Sequence, residues 1–216
     1  MIKMLKGILL LGPTGVGKSP LGDLLEAQGL YGRRFLHFDF GRELRAIARG
    51  EIRDGILPSE RVFVQKVLAE GLLLENEHFY LAEKILRAFL QFKEATGEEI
   101  LVLNGLPRHE GQALLMKEYV NIPLVLVLEA SFEEILERIH RNTGGDRKGR
   151  DDDRIELIYK KWQTYKARTR PLKEFYARQG AKVLKILVGR HTRPEETLAS
   201  LKQGLPRTDF NKLFKS

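Results

Sequence analysis

The chain has 216 residues, with 37 Lys and Arg against 29 Asp and Glu for a formal net charge of +8, and no cysteine. That length suits one α/β domain with insertions, able to bury an apolar core without staples; the missing cysteines exclude disulfides, thiol catalysis and cysteine-ligated zinc, and fit a reducing, cytoplasmic setting. No stretch is long and apolar enough for a membrane helix, and the first residues run into a glycine-rich turn instead of a small-residue cleavage site, so a soluble protein without a signal peptide is expected.

The first predicted element is the apolar run at 6–11, a buried strand that opens into Gly12-Pro13-Thr14-Gly15-Val16-Gly17-Lys18-Ser19. This spacing is that of a phosphate cradle: the glycines let backbone N–H groups turn inward, Lys18 reaches the terminal phosphates and Ser19 ligates Mg²⁺. A helix beginning near Pro20 adds its N-terminal dipole, and a proline costs little in that first turn. Gly15, Val16, Gly17, Lys18, Ser19 and Pro20 therefore form the expected nucleotide-binding set.

A second strand at 34–40 closes in His37-Phe38-Asp39-Phe40-Gly41-Arg42-Glu43-Leu44-Arg45. Asp39 carries two readings, a helix N-cap or an acid at the crevice edge that touches Mg²⁺ or an acceptor hydroxyl. Arg45 is either solvated or on the acceptor's phosphate, and His37 reads as a packed strand residue. Roughly sixty residues then precede the next strand, far more than one crossover helix requires. The excess reads as a substrate-binding helical insertion, placed at 40–73, which divides at 50–58 and is followed by an amphipathic helix over 79–95.

The third strand, 100–106, leads to Asn104-Gly105-Leu106-Pro107-Arg108 with Gln112 four residues on. An arginine at a strand end can fork onto phosphate oxygens, and Gln112 can pair with a base edge. Strands at 123–129 and 182–188 complete five buried runs that are apolar on both faces, as in a parallel sheet covered by helices. Between them, 139–149 is polar and glycine-rich and reads as a short lid. Arg138, Arg141, Arg147 and Arg150 bracket it ahead of Asp151-Asp152-Asp153, in which Asp152 and Asp153 would orient the arginines. Such closure suits phosphoryl transfer, which is catalysed by positioning and charge neutralisation. Nucleic acid is not expected as a partner, because the aromatic interleaving of a stacking platform is missing. The 204–216 tail reads as loose at its end.

These motifs together resemble the adenylate kinase branch of the nucleoside monophosphate kinases, over nearly the whole chain. Gly41-Arg42-Glu43-Leu44-Arg45 looks like the family's Gly-Asp-x-Leu-Arg segment, and Gly55-Ile56-Leu57-Pro58-Ser59-Glu60 its acceptor-nucleoside turn. Gly105-Leu106-Pro107-Arg108 with Gln112, Arg150-Asp151-Asp152-Asp153, and Thr169-Arg170-Pro171-Leu172 with Tyr176 resemble three further family segments. The resemblance implies a three-layer P-loop kinase fold with sheet order 2-3-1-4-5, a monomer using ATP and Mg²⁺, and small nucleotide substrates. It implies that Arg45, Arg108 and Arg150 grip phosphates, that Gln112 reads an adenine, that Arg138 stacks on the donor base, and that Phe40, Gly55, Leu57 and Gly105 line the acceptor site. Departures are Ser19-Pro20 for the family's Gly-Thr, Asn104 for an acid, Phe40 for a small hydroxylic residue, Arg42 for an acid, and Lys161 for a catalytic arginine. A lysine offers a point charge instead of a planar fork.

Three functions remain open on these residues. The leading one is a Mg²⁺-ATP-dependent kinase acting on AMP or a related nucleoside monophosphate. The second is a small-metabolite kinase of the shikimate or gluconate type, which would use Asp39 on an alcohol. The third is a nucleotide-binding regulatory module with little turnover.

Overall fold

The structure, a computed structural model, describes residues 4–51, 55–146 and 154–215. Five parallel strands, β1 (Leu5–Leu11), β2 (Phe35–Asp39), β3 (Ile100–Asn104), β4 (Val120–Glu129) and β5 (Lys182–Leu187), form one sheet in the order β2-β3-β1-β4-β5. The expected architecture and strand order are those observed.

Alternation along the strands divides the core in two, because successive side chains point to opposite faces. Leu9, Leu11, Phe38, Leu101, Leu103, Val125 and Val127 face one way, against α2 (Phe40–Arg49), α3 (Pro58–Glu70), α4 (Phe79–Phe92), α5 (Glu110–Met116) and α8 (Leu172–Arg178). Ile8, Leu10, Val102, Leu124, Leu126 and Leu128 face the other, against α1 (Lys18–Gln28), α9 (Pro194–Gly204) and α10 (Arg207–Leu213). Two more helices, α6 (Phe132–His140) and α7 (Ile155–Thr164), flank the stretch expected to be a lid, and α7 runs on as a π segment, Tyr165–Thr169.

Two boundaries differ from the sequence reading. β4 starts at Val120 instead of Pro123; its pairing with β1 shifts register between Lys6 and Ile8, which leaves the proline, with no N–H to donate, in an irregularity of the ladder. As far as Phe214 the tail is packed, not loose. Phe210 and Phe214 are buried and stacked with centroids 4.7 Å apart, Phe210 lies 5.4 Å from Tyr31, and Tyr31 Oη donates to Leu205 O at 2.9 Å. These aromatic residues extend the α1-side core, and burying them outweighs the entropy of ordering a terminus.

Candidate active site

Gly12, Gly15 and Gly17 all take positive φ, and a Cβ on Gly12 would come within 2.8 Å of Leu128 O and Val16 Cγ1. Only glycine makes this turn while letting Val16 plug the core beneath it, fully buried. Lys18 Nζ folds over the loop and donates to Gly12 O at 2.6 Å and Pro13 O at 2.8 Å. α1 starts without a side-chain cap, which leaves its first N–H groups and dipole for an anion.

Register sets the polar floor beside this loop. Asp39 pairs with Asn104 across β2 and β3, and Asn104 with Leu10 across β3 and β1, so both polar side chains end their strands on the α1 face. Ser19, in the first turn of α1, meets them there. Its Oγ donates to Asp39 Oδ2 at 2.5 Å, and Asn104 Nδ2 donates to Ser19 Oγ at 3.1 Å and Asp39 Oδ2 at 3.0 Å. Asp39 is also the N-cap of α2, accepting from Arg42 N at 3.0 Å, which is the first of its two expected readings. Burial pushes the Asp39 carboxyl up, but the charges of His37 and Arg45 and the bonds from Ser19 and the Arg42 N–H more than reverse this and hold it below the usual range.

A second layer lies under this floor. His37 Nδ1 donates to Asp23 Oδ1 at 2.8 Å, Asn104 Nδ2 approaches His37 Nε2 at 3.5 Å, and Arg42 Nη2 reaches both Asp23 oxygens at 2.8 and 2.9 Å. No motif marks Asp23 in the sequence, although it stands four residues after Ser19 and therefore on the same face of α1. His37 is a packed strand residue as expected, but one wired into the polar floor.

Lys18, Ser19, Asp39, Phe40, Gly105, Arg45, Arg108, Gln112 and Lys161 line one crevice at the carboxyl ends of the strands, with Gly15 and Gly17 at its rim. Asp146, which no sequence pattern marks, lines it as well. Other expectations need correction. Gln112, 1 % exposed, spends one acceptor site and one N–H of its amide internally: Oε1 accepts from Arg108 N and Nε2 donates to Leu74 O, both at 2.8 Å, instead of standing open at the crevice as the base-reading expectation has it. Arg138, 3 % exposed, gives its guanidinium to three carbonyls, Gly15 O at 3.3 Å, Gly189 O at 2.7 Å and Thr192 O at 2.8 Å. It ties the phosphate loop to the segment after β5 and offers no open face for a donor base. Burial lowers its basicity, partly countered by Asp146 and Glu134.

Leu57, 56 % exposed, lies on a separate apolar cavity with Ile47 and Ile56; neither Leu57 nor Gly55 lines the crevice. Pro20 is buried, with a Gly144 Cβ position 2.8 Å from its Cγ, and does not line the crevice. Arg141 is exposed at the end of α6 and does not line it. Arg147, Arg150 and the Asp151-Asp152-Asp153 run lie outside the described residues, as does the end of the expected lid.

In fold the chain is similar to a gluconokinase from Sinorhizobium meliloti 1021, with a TM-score of 0.53 and 17% identity over 99% of each chain. This likeness shows the fold, a three-layer α/β sandwich that carries a phosphate loop. No protein-family model matches the chain. It is 28% identical to the adenylate kinase of Thermus thermophilus over 93% of this chain and 97% of that one. It is 28% identical to the adenylate kinase of Prochlorococcus marinus MIT 9211 over 80% and 84%, and 29% identical to a probable UMP-CMP kinase of Arabidopsis thaliana over 68% and 65%. At 28–29% identity these likenesses are to nucleoside monophosphate kinases, all of them phosphotransferases, and they agree with the resemblance that the motifs carry, as for a divergent relative. Among the described residues no helix is long and apolar enough to cross a membrane.

Proposed function

We propose that this chain transfers the γ-phosphoryl group of Mg²⁺-ATP to a nucleoside monophosphate, with AMP the first acceptor to try. The observation that carries this reading is the convergence of four cations, Lys18, Arg45, Arg108 and Lys161, on one crevice with an ionised Asp39 at its floor. Lys18 and the N–H groups of the phosphate loop bind the donor's phosphates, while Arg45 and Arg108 align the acceptor phosphate and Lys161 neutralises charge between them. An anionic phosphate acceptor needs no general base. The cations also stabilise the charge that spreads over the transferring group.

Mg²⁺ takes hard oxygen donors, and Ser19 Oγ with the Asp39 carboxylate is such a set, so these two residues would hold it, and the ion would supply charge neutralisation for the phosphates. The 40–73 segment, which contributes Phe40, Leu44, Arg45, Val67 and Leu68 to the wall, serves as the acceptor-binding insertion, and 139–149 as the lid.

A second reading, transfer to a small alcohol, is favoured by the buried, ionised Asp39, which can accept a hydroxyl proton, and by the internal use of the Gln112 amide. A panel of nucleoside monophosphates and small polyols assayed for ADP formation separates the two. Diphosphate product from AMP, CMP or UMP supports the first. Turnover confined to polyols replaces it with the second, and no turnover with either class leaves a nucleotide-binding module.

A further inference from the structure

Arg108 is held at both of its backbone polar groups by side chains from other elements. Its N–H donates to Gln112 Oε1 at 2.8 Å and its C=O accepts from Thr169 Oγ1 at 2.7 Å. Its Nε also returns to Gly105 O at 3.1 Å. Loop backbone groups are commonly satisfied by turns or water, which leaves a residue some freedom in φ and ψ. Two side-chain anchors on either side of one Cα remove it.

The anchors belong to a closed circuit. The second arm of the Gln112 amide donates to Leu74 O, as does His109 Nε2 at 3.0 Å, so the chain leaving α3 is fastened to the start of α5. The next residue, Glu75, takes a bidentate pair from Arg168, with Nη2 on Oε2 at 2.8 Å. Arg168 and Thr169 are adjacent, at the end of the π segment. A π turn adds a residue to the helical repeat, so side chains beyond it leave the register of α7, and such turns recur at functional sites. Here Arg168 grips Glu75 while Thr169 reaches the Arg108 carbonyl.

We propose that Thr169 and Gln112 are positioning residues for Arg108, fixing its backbone so that the guanidinium enters the crevice in one orientation, with Thr169 transmitting the placement of the segment after α7. The proposal rests on Arg108 being the acceptor-phosphate arginine. It assigns the Gln112 Oε1 to the arginine's backbone, and it gives a task to Thr169. Misplacing a substrate-aligning group by about an ångström can cost up to roughly a hundredfold in rate. Loss of one of two anchors should cost less, on the order of tenfold, which is the worth of a single neutral hydrogen bond.

The test compares Thr169→Val, which keeps the shape and removes the hydroxyl, with Thr169→Ser, which keeps the hydroxyl. Steady-state kinetics with AMP and ATP are read beside hydrogen exchange of the Arg108 amide by NMR. In Thr169→Val the expected result is a roughly tenfold lower kcat/KM for AMP, an ATP KM within about twofold of the parent, and Arg108 exchange at least about tenfold faster. Thr169→Ser should restore all three. Unchanged Arg108 exchange in the Val variant overturns the proposal whatever the kinetics, and so does a Ser variant as impaired as the Val one. If the parent protein phosphorylates no nucleoside monophosphate, the acceptor reading falls by itself, and Arg108 exchange still decides whether Thr169 and Gln112 clamp that residue.

Discussion

Asp39 and Asn104 stand side by side in register, so an acid at either position reaches Ser19. With the charge on Asp39, the Asn104 amide can donate to it, an arrangement two unpaired carboxylates could not share. Asp39→Asn keeps the cap on α2 and removes the charge, so the Mg²⁺ concentration for half-maximal activity should rise several-fold, on the order of fivefold or more. A flat Mg²⁺ titration would show that Asp39 only caps. Asn104→Asp sets two carboxylates in contact; its melting temperature should fall without Mg²⁺ and recover when Mg²⁺ is added, and its Mg²⁺ requirement should be lower or unchanged. Lys18→Ala should lose phosphoryl transfer by at least about a hundredfold, some 3 kcal/mol, while circular dichroism and melting stay near the parent values; parent-like turnover would remove the phosphate-loop assignment. Ser19, Asp39 and Arg108 were legible because they stand at strand ends or in a spaced motif. Gln112 and Arg138 were not: their partners are carbonyls of Leu74, Gly15, Gly189 and Thr192, backbone atoms that any residue supplies and no sequence pattern marks.

At the scale of elements, what the sequence shows is periodicity, and strands with apolar residues on both faces identify themselves. Less visible is where a helix must come close to the sheet. Gly22 in α1 is such a contact, since a Cβ there would lie 2.3–2.5 Å from the ring atoms of His37. The imidazole cannot yield without leaving Asp23, so Gly22→Ala should destabilise by about 1–3 kcal/mol despite alanine's better helix propensity. Urea unfolding measures this; a stabilised variant would mean that His37 moves freely. α10 is not marked in the sequence because seven residues carry little periodic signal and its buried Phe210 packs on partners far away in the chain, Tyr31 and Phe35. Phe210→Ala removes a fully buried ring and should cost about 3–5 kcal/mol. A loss under about 1 kcal/mol would return the tail to the loose state that its sequence suggests.

For the molecule as a whole, the +8 charge conceals a set of carboxylates on which stability rests. Asp39 is held below its ordinary value as described, and Glu75 chiefly by its hydrogen bonds from Arg168. Burial raises Asp23, but bonds and charge from His37 and Arg42 bring it down to about 2 from 3.8. A carboxylate depressed by folding binds protons more tightly in the unfolded chain, so its contribution is complete above the unfolded value and drains away as pH falls through the folded one. For Asp23 that window runs from about pH 4 down to about pH 2. Its side chain is 43% exposed, so solvent screening trims the contribution to about 1 kcal/mol. Asp23→Asn should accordingly be less stable than the parent by about that amount at pH 7, with the gap narrowing below pH 4 and closing near pH 2. Urea midpoints across that range test the linkage. A gap that stays constant with pH would mean that the Asp23 charge is idle and that the network under the phosphate loop is held by packing around His37 alone.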